Sequence, residues 1–162
     1  VIAASVILKG PIKGLMDSKK LSSKKREDLS KIIIENSIFA IGVADNKEID
    51  QINILQASLL AMQRSLEKLD VKPKKVLVDG DHIFKTPIEI ESIVGGDNLI
   101  PSISAASIVA KVYRDRLMMT YSKEFPNYGF DKHKGYPTKL HKEMLKRYGL
   151  TRIHRRTFKG VN

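Results

Sequence analysis

The apolar positions of this 162-residue chain alternate between strand and helix periods. Residues 1–8, VIAASVIL, are a continuous run of small and branched apolar side chains, which predicts a strand covered on both faces. Gly10, Pro11 and Gly14 punctuate that run, and a polar loop, DSKKL at 17–21, follows. Ser22 or Ser23 can cap the next helix, with Leu29, Ile32 and Ile33 on its buried face. Residues 37–44 alternate and are rich in β-formers, predicting a second strand. Asp45 followed by Glu48 is a capping-box start for the longest predicted helix, which runs to about residue 69. Its predicted buried stripe is Ile52, Leu55, Leu59, Met62, Leu66 and Leu69.

Lys72 and Pro73 break the chain before a short buried strand at 76–78, which ends at Asp79-Gly80, and residues 88–94 predict another strand. The stretch 95–116, GGDNLIPSISAASIVAKVYRDR, is the one around which the chain is organised. A glycine pair and Asp97 lead into a helix on which Ala106, Ala110, Tyr113, Leu117 and Tyr121 recur at helical spacing, a predicted buried stripe. Turns at 125–129 and 133–137 precede a helix capped by Thr138, carrying Leu140, Met144, Leu145 and Tyr148, and stopped by Gly149. Residues 152–159 predict a basic, weakly structured end. Strands alternating with helices predict an α/β sandwich, with 1–125 as its core and 126–162 as a basic helical extension packed on the same domain. The opening run reads as the middle of a buried strand, and termini usually sit exposed, so further residues are expected upstream of Val1.

Composition removes several classes of chemistry. No apolar run reaches the length of a membrane span and no signal-peptide pattern is present, so no membrane partner is expected. Without cysteine there is no disulfide framework, thiolate metal site or thiol nucleophile, and a reducing cytoplasmic location fits. The net charge of +11 is unevenly placed: from Lys132 onward there are ten Lys or Arg against Glu143 alone, which is nine of the eleven excess charges. A second cluster holds Lys19, Lys20, Lys24, Lys25 and Arg26. Two basic patches on a balanced body point to a polyanion, most simply nucleic acid, beside the plainer reading of a solvated surface.

Two acids stand out. Asp79 ends a buried strand, where ligands gather in open α/β sheets, although Asp-Gly is equally a common hairpin turn. Asp97 follows one strand later, so both can end at one edge of the sheet, where two carboxylates repel unless a hard cation such as Mg²⁺ or Mn²⁺ joins them. Asp81 reads as a turn residue. His82, His133, His141 and His154 lack metal-site spacing, and no Walker, Rossmann or nucleophile-elbow run is present. Tyr136, between Gly135 and Pro137 and beside Lys132 and Lys134, suits stacking on a base or sugar, or else burial in a core.

DSKKL, SISAASIVAKVYRD and KHKGYPT, with VLVDG, GGD and IHRRTF in the same order, resemble the ribonuclease HII family over nearly the whole chain. The resemblance implies an RNase H-like mixed sheet flanked by helices, with a C-terminal helical extension. It implies hydrolysis of RNA in RNA–DNA hybrids and cutting 5′ of single ribonucleotides embedded in duplex DNA, leaving 5′-phosphate and 3′-hydroxyl ends, with Mn²⁺ or Mg²⁺ as cofactor and a monomeric enzyme. Asp79 and Asp97 match the third and fourth of the family's metal-binding carboxylates, and Tyr136 matches its junction-sensing tyrosine. Ser18, Lys19 and Lys20 match a loop placed near the substrate backbone, Lys134 neighbours the tyrosine, and Asp115 matches a supporting position. The family's first Asp-Glu pair and Gly-Arg-Gly run lie upstream of the strand that opens this sequence, so these 162 residues alone are expected not to cleave. The competing classes are a non-catalytic nucleic-acid-binding module and another metal nuclease of the same fold.

Overall fold

The computed structural model describes residues 1–15 and 21–158. The elements run β1 (Ile2–Leu8), α1 (Ser23–Glu35), β2 (Ser37–Val43), α2 (Asn46–Glu67), β3 (Lys75–Asp79), β4 (Glu89–Ile93), α3 (Pro101–Glu124), α4 (Phe130–His133) and α5 (Lys139–Tyr148). Short 3₁₀ turns at Gly96–Asn98 and Pro126–Tyr128 flank α3. The expected α/β architecture is present. β1 pairs antiparallel with β2, from Ile2 opposite Val43 to Leu8 opposite Ser37. β3 pairs parallel with β4, from Lys75 opposite Glu89 to Asp79 opposite Ile93. Among the described residues these are two separate pairs. A cavity of about 710 Å³, lined by residues 1–8 and by β3, lies between them, and hydrogen-bonded strands must sit about 4.8 Å apart. β1 is accordingly half-buried, with Ala3 alone buried, and not covered throughout as the apolar run suggested.

Helix α2 packs on β1 and β2, and α3 packs on β1 and α1. The caps on α1, α2 and α5 form as the sequence indicates. The Ser22 hydroxyl accepts from the Lys25 amide, Asp45 and Glu48 form a complete capping box, and the Thr138 hydroxyl accepts from the His141 amide. Tight contact governs the face of α2. A Cβ on Gly42 of β2 would stand only 1.9 Å from the Ala61 carbonyl oxygen and 2.6 Å from the Ser65 amide nitrogen. Glycine is therefore required, and the helix presents Ala57, Ala61 and Ser65 there.

Three sequence expectations about helices are corrected by this packing. Asn53 takes a non-helical backbone (φ 68°, ψ 169°) and its side chain accepts from the Gln56 amide, so α2 is two arms joined at an internal cap. That break rotates the predicted stripe: Ile52 and Leu55 are exposed, whereas Ile49, Ala57, Ala61 and Leu66 are buried. Helix α3, at 24 residues against 22 for α2, is the longest. It buries Ile103, Ala105, Ile108, Val109 and Val112, because α1 and β1 meet that side, while Tyr113 is exposed and Ala106 and Ala110 line the cavity. On α5 the buried residue is His141, and Leu140 and Tyr148 are exposed. The 80–88 connection joins parallel strands, so Asp79-Gly80 is not a hairpin turn. The basic end forms no regular helix, yet it is pinned: Asp50 of α2 accepts from the Arg156 and Thr157 amides, and the Asn46 amide donates to the Arg152 and His154 carbonyls.

Gly42→Ala is expected to destabilise the fold by about 3 kcal/mol or more, the cost of forcing side-chain volume into a closed contact. Thermal melting measured beside the unchanged protein should show a Tm lower by roughly 10 °C. An unchanged Tm would contradict the close approach of α2 to β2.

Candidate functional site

The parallel pairing of β3 and β4 sends both strands toward the same end of the fold. Asp79 is the last residue of β3 and is exposed, and the Gly80 amide donates to the Ile93 carbonyl at 3.0 Å, closing the end of the ladder. β4 then runs into the 3₁₀ turn that holds Asp97, which packs against β3. Asp97 is 9% exposed and its carboxylate accepts from the Asn98 side-chain amide at 3.0 Å. A Cβ on Gly96 would press on Ile103 at 2.6 Å, so the turn is held against the first turn of α3. Two carboxylates, one exposed and one buried, thus terminate adjacent parallel elements.

Asp81 lies beyond the strand on an exposed bend, where the His82 ring hydrogen-bonds its carboxylate and holds it below the usual carboxylate range. Among the described residues no group of three or more His, Cys, Asp or Glu is arranged to hold a metal ion. The donors that Asp79 and Asp97 offer are hard carboxylate oxygens, and this donor chemistry fits a divalent ion that keeps several waters and takes one or two protein carboxylates.

Tyr136 stands at the other end of α3, in the turn between α4 and α5, and is 56% exposed. It is not a core tyrosine. Its hydroxyl accepts from Arg114 at 3.0 Å, and the same guanidinium lies 5.4 Å from the ring centroid. Asp115 grips that guanidinium from the opposite side, accepting from Nε at 3.1 Å and from Nη2 at 2.7 Å. Burial disfavours the Arg114 charge, but Asp115 and Tyr136 outweigh it and hold the group above its ordinary pKa. Arg114 also lines the cavity whose wall includes Asp79, although Asp97 is not among the lining residues. Sequence reasoning missed it, although its place directly before Asp115 and one turn after Ala110 was a usable signal.

Lys134 adopts a left-handed backbone (φ 52°) at the C-cap of α4, two residues before Tyr136. Ser18, Lys19 and Lys20 lie outside the described residues. Their neighbour Leu15 is 2% exposed, and its carbonyl accepts from the Ser104 hydroxyl of α3 at 2.6 Å. Lys132, Lys139, Lys142, Lys146 and Arg147 present exposed side chains on and before α5. No helix is long and apolar enough, among the described residues, to cross a membrane.

Comparison with known proteins places the chain in a family. The ribonuclease HII family profile matches residues 1–161. A ribonuclease HII of Coxiella burnetii is 52% identical over 164 residues, covering 99% of this chain and 81% of that protein. In fold, the chain is similar to the ribonuclease HII of a PCNA complex from Archaeoglobus fulgidus (TM-score 0.80, 23% identity, 99% of this chain and 87% of that one). It is also similar to a Bst-RNase HIII solved with Mn²⁺ (TM-score 0.58, 14% identity, 84% and 51%). Profile, sequence identity and architecture agree along nearly the full length, and the chain belongs to the ribonuclease HII family, a family of ribonuclease H enzymes.

Proposed function

We propose that this ribonuclease H cuts on the 5′ side of single ribonucleotides embedded in duplex DNA, as well as within RNA–DNA hybrids, with a divalent cation held by Asp79 and Asp97. The observation that carries this reading is Arg114, which borders the cavity shared with Asp79 while holding the exposed Tyr136 ring by its hydroxyl and its face. A carboxylate suited to a cation and an arginine that holds an aromatic platform suited to a sugar or base thus border the same cavity.

The residues divide the work. The cation, when bound, supplies activation of water for in-line attack on phosphorus and stabilises the leaving 3′-oxygen. Asp97, buried beneath the turn, fixes one donor position, and Asp79, exposed at the strand end, reaches toward substrate. Mn²⁺ and Mg²⁺ both match these oxygen donors, and Mn²⁺ accompanies the Bst-RNase HIII relative. Tyr136 stacks against the sugar next to the RNA–DNA step, steadied by Arg114, and Asp115 braces Arg114. Lys134, together with Ser18, Lys19 and Lys20, contacts the nucleic-acid backbone. The exposed bases of α5 hold phosphates, giving affinity that falls as salt rises. The enzyme works as a monomer in the cytoplasm, with 1–125 as the catalytic core and 126–162 as the substrate-gripping extension. The 162 residues by themselves, with two carboxylates, bind duplex but leave it uncut.

The decisive test is a cleavage assay on duplex DNA carrying one ribonucleotide. The natural gene product should cut with Mn²⁺ or Mg²⁺ and stop on chelation, and Asp79→Asn should lower kcat at least ~1,000-fold, a loss of about 4 kcal/mol in transition-state stabilisation. Full activity of Asp79→Asn would sink the proposal and favour a role in binding alone. Tyr136→Ala should lower the preference for the single ribonucleotide over a long hybrid about tenfold, the scale of one stacking contact. Replacing both Lys142 and Lys146 with Glu should weaken binding of every duplex alike and reduce the salt slope by about 2. A sequence-selective loss would show that these lysines do not contact phosphates.

A further inference from the structure

Three histidines that lack metal-site spacing in the sequence come together under Tyr136. His133, His141 and His154 are 6–7% exposed and are packed around Phe130 and Tyr128. The His133 and His141 rings stack at 4.2 Å, and His141 Nε2 lies 3.2 Å from His154 Nε2. The hydrogen-bond partners fix every ring proton. The Thr151 amide donates to His154 Nδ1 at 2.9 Å, so the single proton of neutral His154 is on Nε2 and points at His141. His141 accepts it on Nε2 and donates from Nδ1 to the Tyr136 carbonyl at 3.0 Å. His133 accepts from the Gly135 amide on Nδ1 and donates from Nε2 to the Tyr128 carbonyl, while its own carbonyl accepts from the Tyr136 amide. All six ring nitrogens are engaged, which leaves none to ligate a metal. The Tyr136 backbone is held at its amide by His133 and at its carbonyl by His141.

We propose that His141 and His154 are positioning residues for Tyr136, forming a one-way hydrogen-bond chain from Thr151 through both rings to the Tyr136 carbonyl that sets the turn presenting the phenol to substrate. The inference rests on the role given to Tyr136 above and adds what holds that residue in place. Lys134 (φ 52°), a residue with a side chain, occupies left-handed backbone two positions before Tyr136, a strained conformation that the surrounding structure must hold, while Gly135 (φ 84°) takes the same region freely. The chain works only with neutral rings: a second proton on His141 leaves two N–H groups facing each other across the 3.2 Å contact, and a second proton on His154 sets its Nδ1–H against the Thr151 amide.

The surroundings maintain that state. Burial, then the neighbouring His141 and the Arg155 guanidinium, push His154 down to about 4, and burial also lowers His141. The groups facing the pair are His133 and Phe130 on α4, Tyr128 before it, and Arg155 in the tail, whose charge is offset by Asp50 of α2. An unfolded chain carries its histidines near 6.5, so between pH 6.5 and about 4 the unfolded state binds more protons. Stability therefore rises with pH across that window and is lost as pH falls through it.

Histidine ¹⁵N NMR on the unaltered protein tests the chain without any substitution. The expected spectrum shows His141 protonated on Nδ1 and His154 on Nε2, with His154 neutral at pH 6 and the Tyr136 amide resonance moving at the same acidic midpoint as the His154 ring. The opposite tautomers, or a Tyr136 amide indifferent to that midpoint, would overturn the proposal. In cleavage assays of the natural gene product, His141→Leu and His154→Leu should each lower the single-ribonucleotide preference about tenfold. His141→Asn and His154→Gln, which restore the donor at Nδ1 and Nε2 respectively, should stay within about twofold of the unaltered protein. Folded leucine variants that keep the preference, while Tyr136→Ala loses it, would sink the positioning role alone. If Tyr136→Ala itself keeps the preference, the role of Tyr136 falls, and the NMR result still decides whether the chain exists.

Discussion

Helix α3 buries Ile103, Ala105, Ile108, Val109 and Val112 against β1 and α1, and that contact sets the position of every part of the site described. At its N-terminal end the helix holds Gly96 against Ile103, which places the Asp97 turn beside the end of β3. In the same first turn, Ser104 ties the helix to Leu15, two residues before the DSKKL loop. Three turns on, Arg114 and Asp115 emerge on the side facing the Tyr136 turn. A shift of this one helix would move the acid, the arginine and the tyrosine together, so packing energy and site geometry share a cause.

The C-terminal extension uses different physics. Its sequence is strongly basic and carries few large apolar side chains, so it cannot rely on a hydrophobic core of its own. Its interior is aromatic: Tyr128 and Phe130 stack at 5.5 Å, with three hydrogen-bonded histidines around them. Satisfied hydrogen bonds let polar rings occupy a place that aliphatic side chains would otherwise fill. The outer face is thereby left largely to lysine and arginine, and the exposed Tyr136 near it is braced by cation and backbone contacts.

Much of the architecture was legible in the sequence because local rules and tertiary packing agreed. The Ser22, Asp45 and Thr138 caps form as their spacing indicates, and the ends of β2 and α5 follow from their patterns. Helix faces were less legible. Periodicity marks large apolar residues, but α2 meets β2 at Gly42, where only Ala57, Ala61 and Ser65 fit, and Asn53 resets the phase. The parallel β3–β4 pairing was hidden by Asp79-Gly80, which reads locally as a turn. At the site, Asp79, Asp97 and Tyr136 announced themselves by position and by family resemblance. Arg114 and the three histidines did not: the Arg114–Tyr136 and His141–His154 bonds span 22 and 13 residues, which no local spacing encodes, and His133 bonds nearby backbone that its residue type does not announce.

The central claim is that Asp79 and Asp97 share one divalent cation at the common end of β3 and β4. Titrating Mn²⁺ into isotope-labelled protein and recording paramagnetic broadening tests it directly. The account predicts broadening centred on Asp79, Gly80, Asp97 and Asn98, abolished by Asp97→Asn. Broadening centred on the histidine cluster or spread over the exposed acids, unchanged in Asp97→Asn, would contradict it.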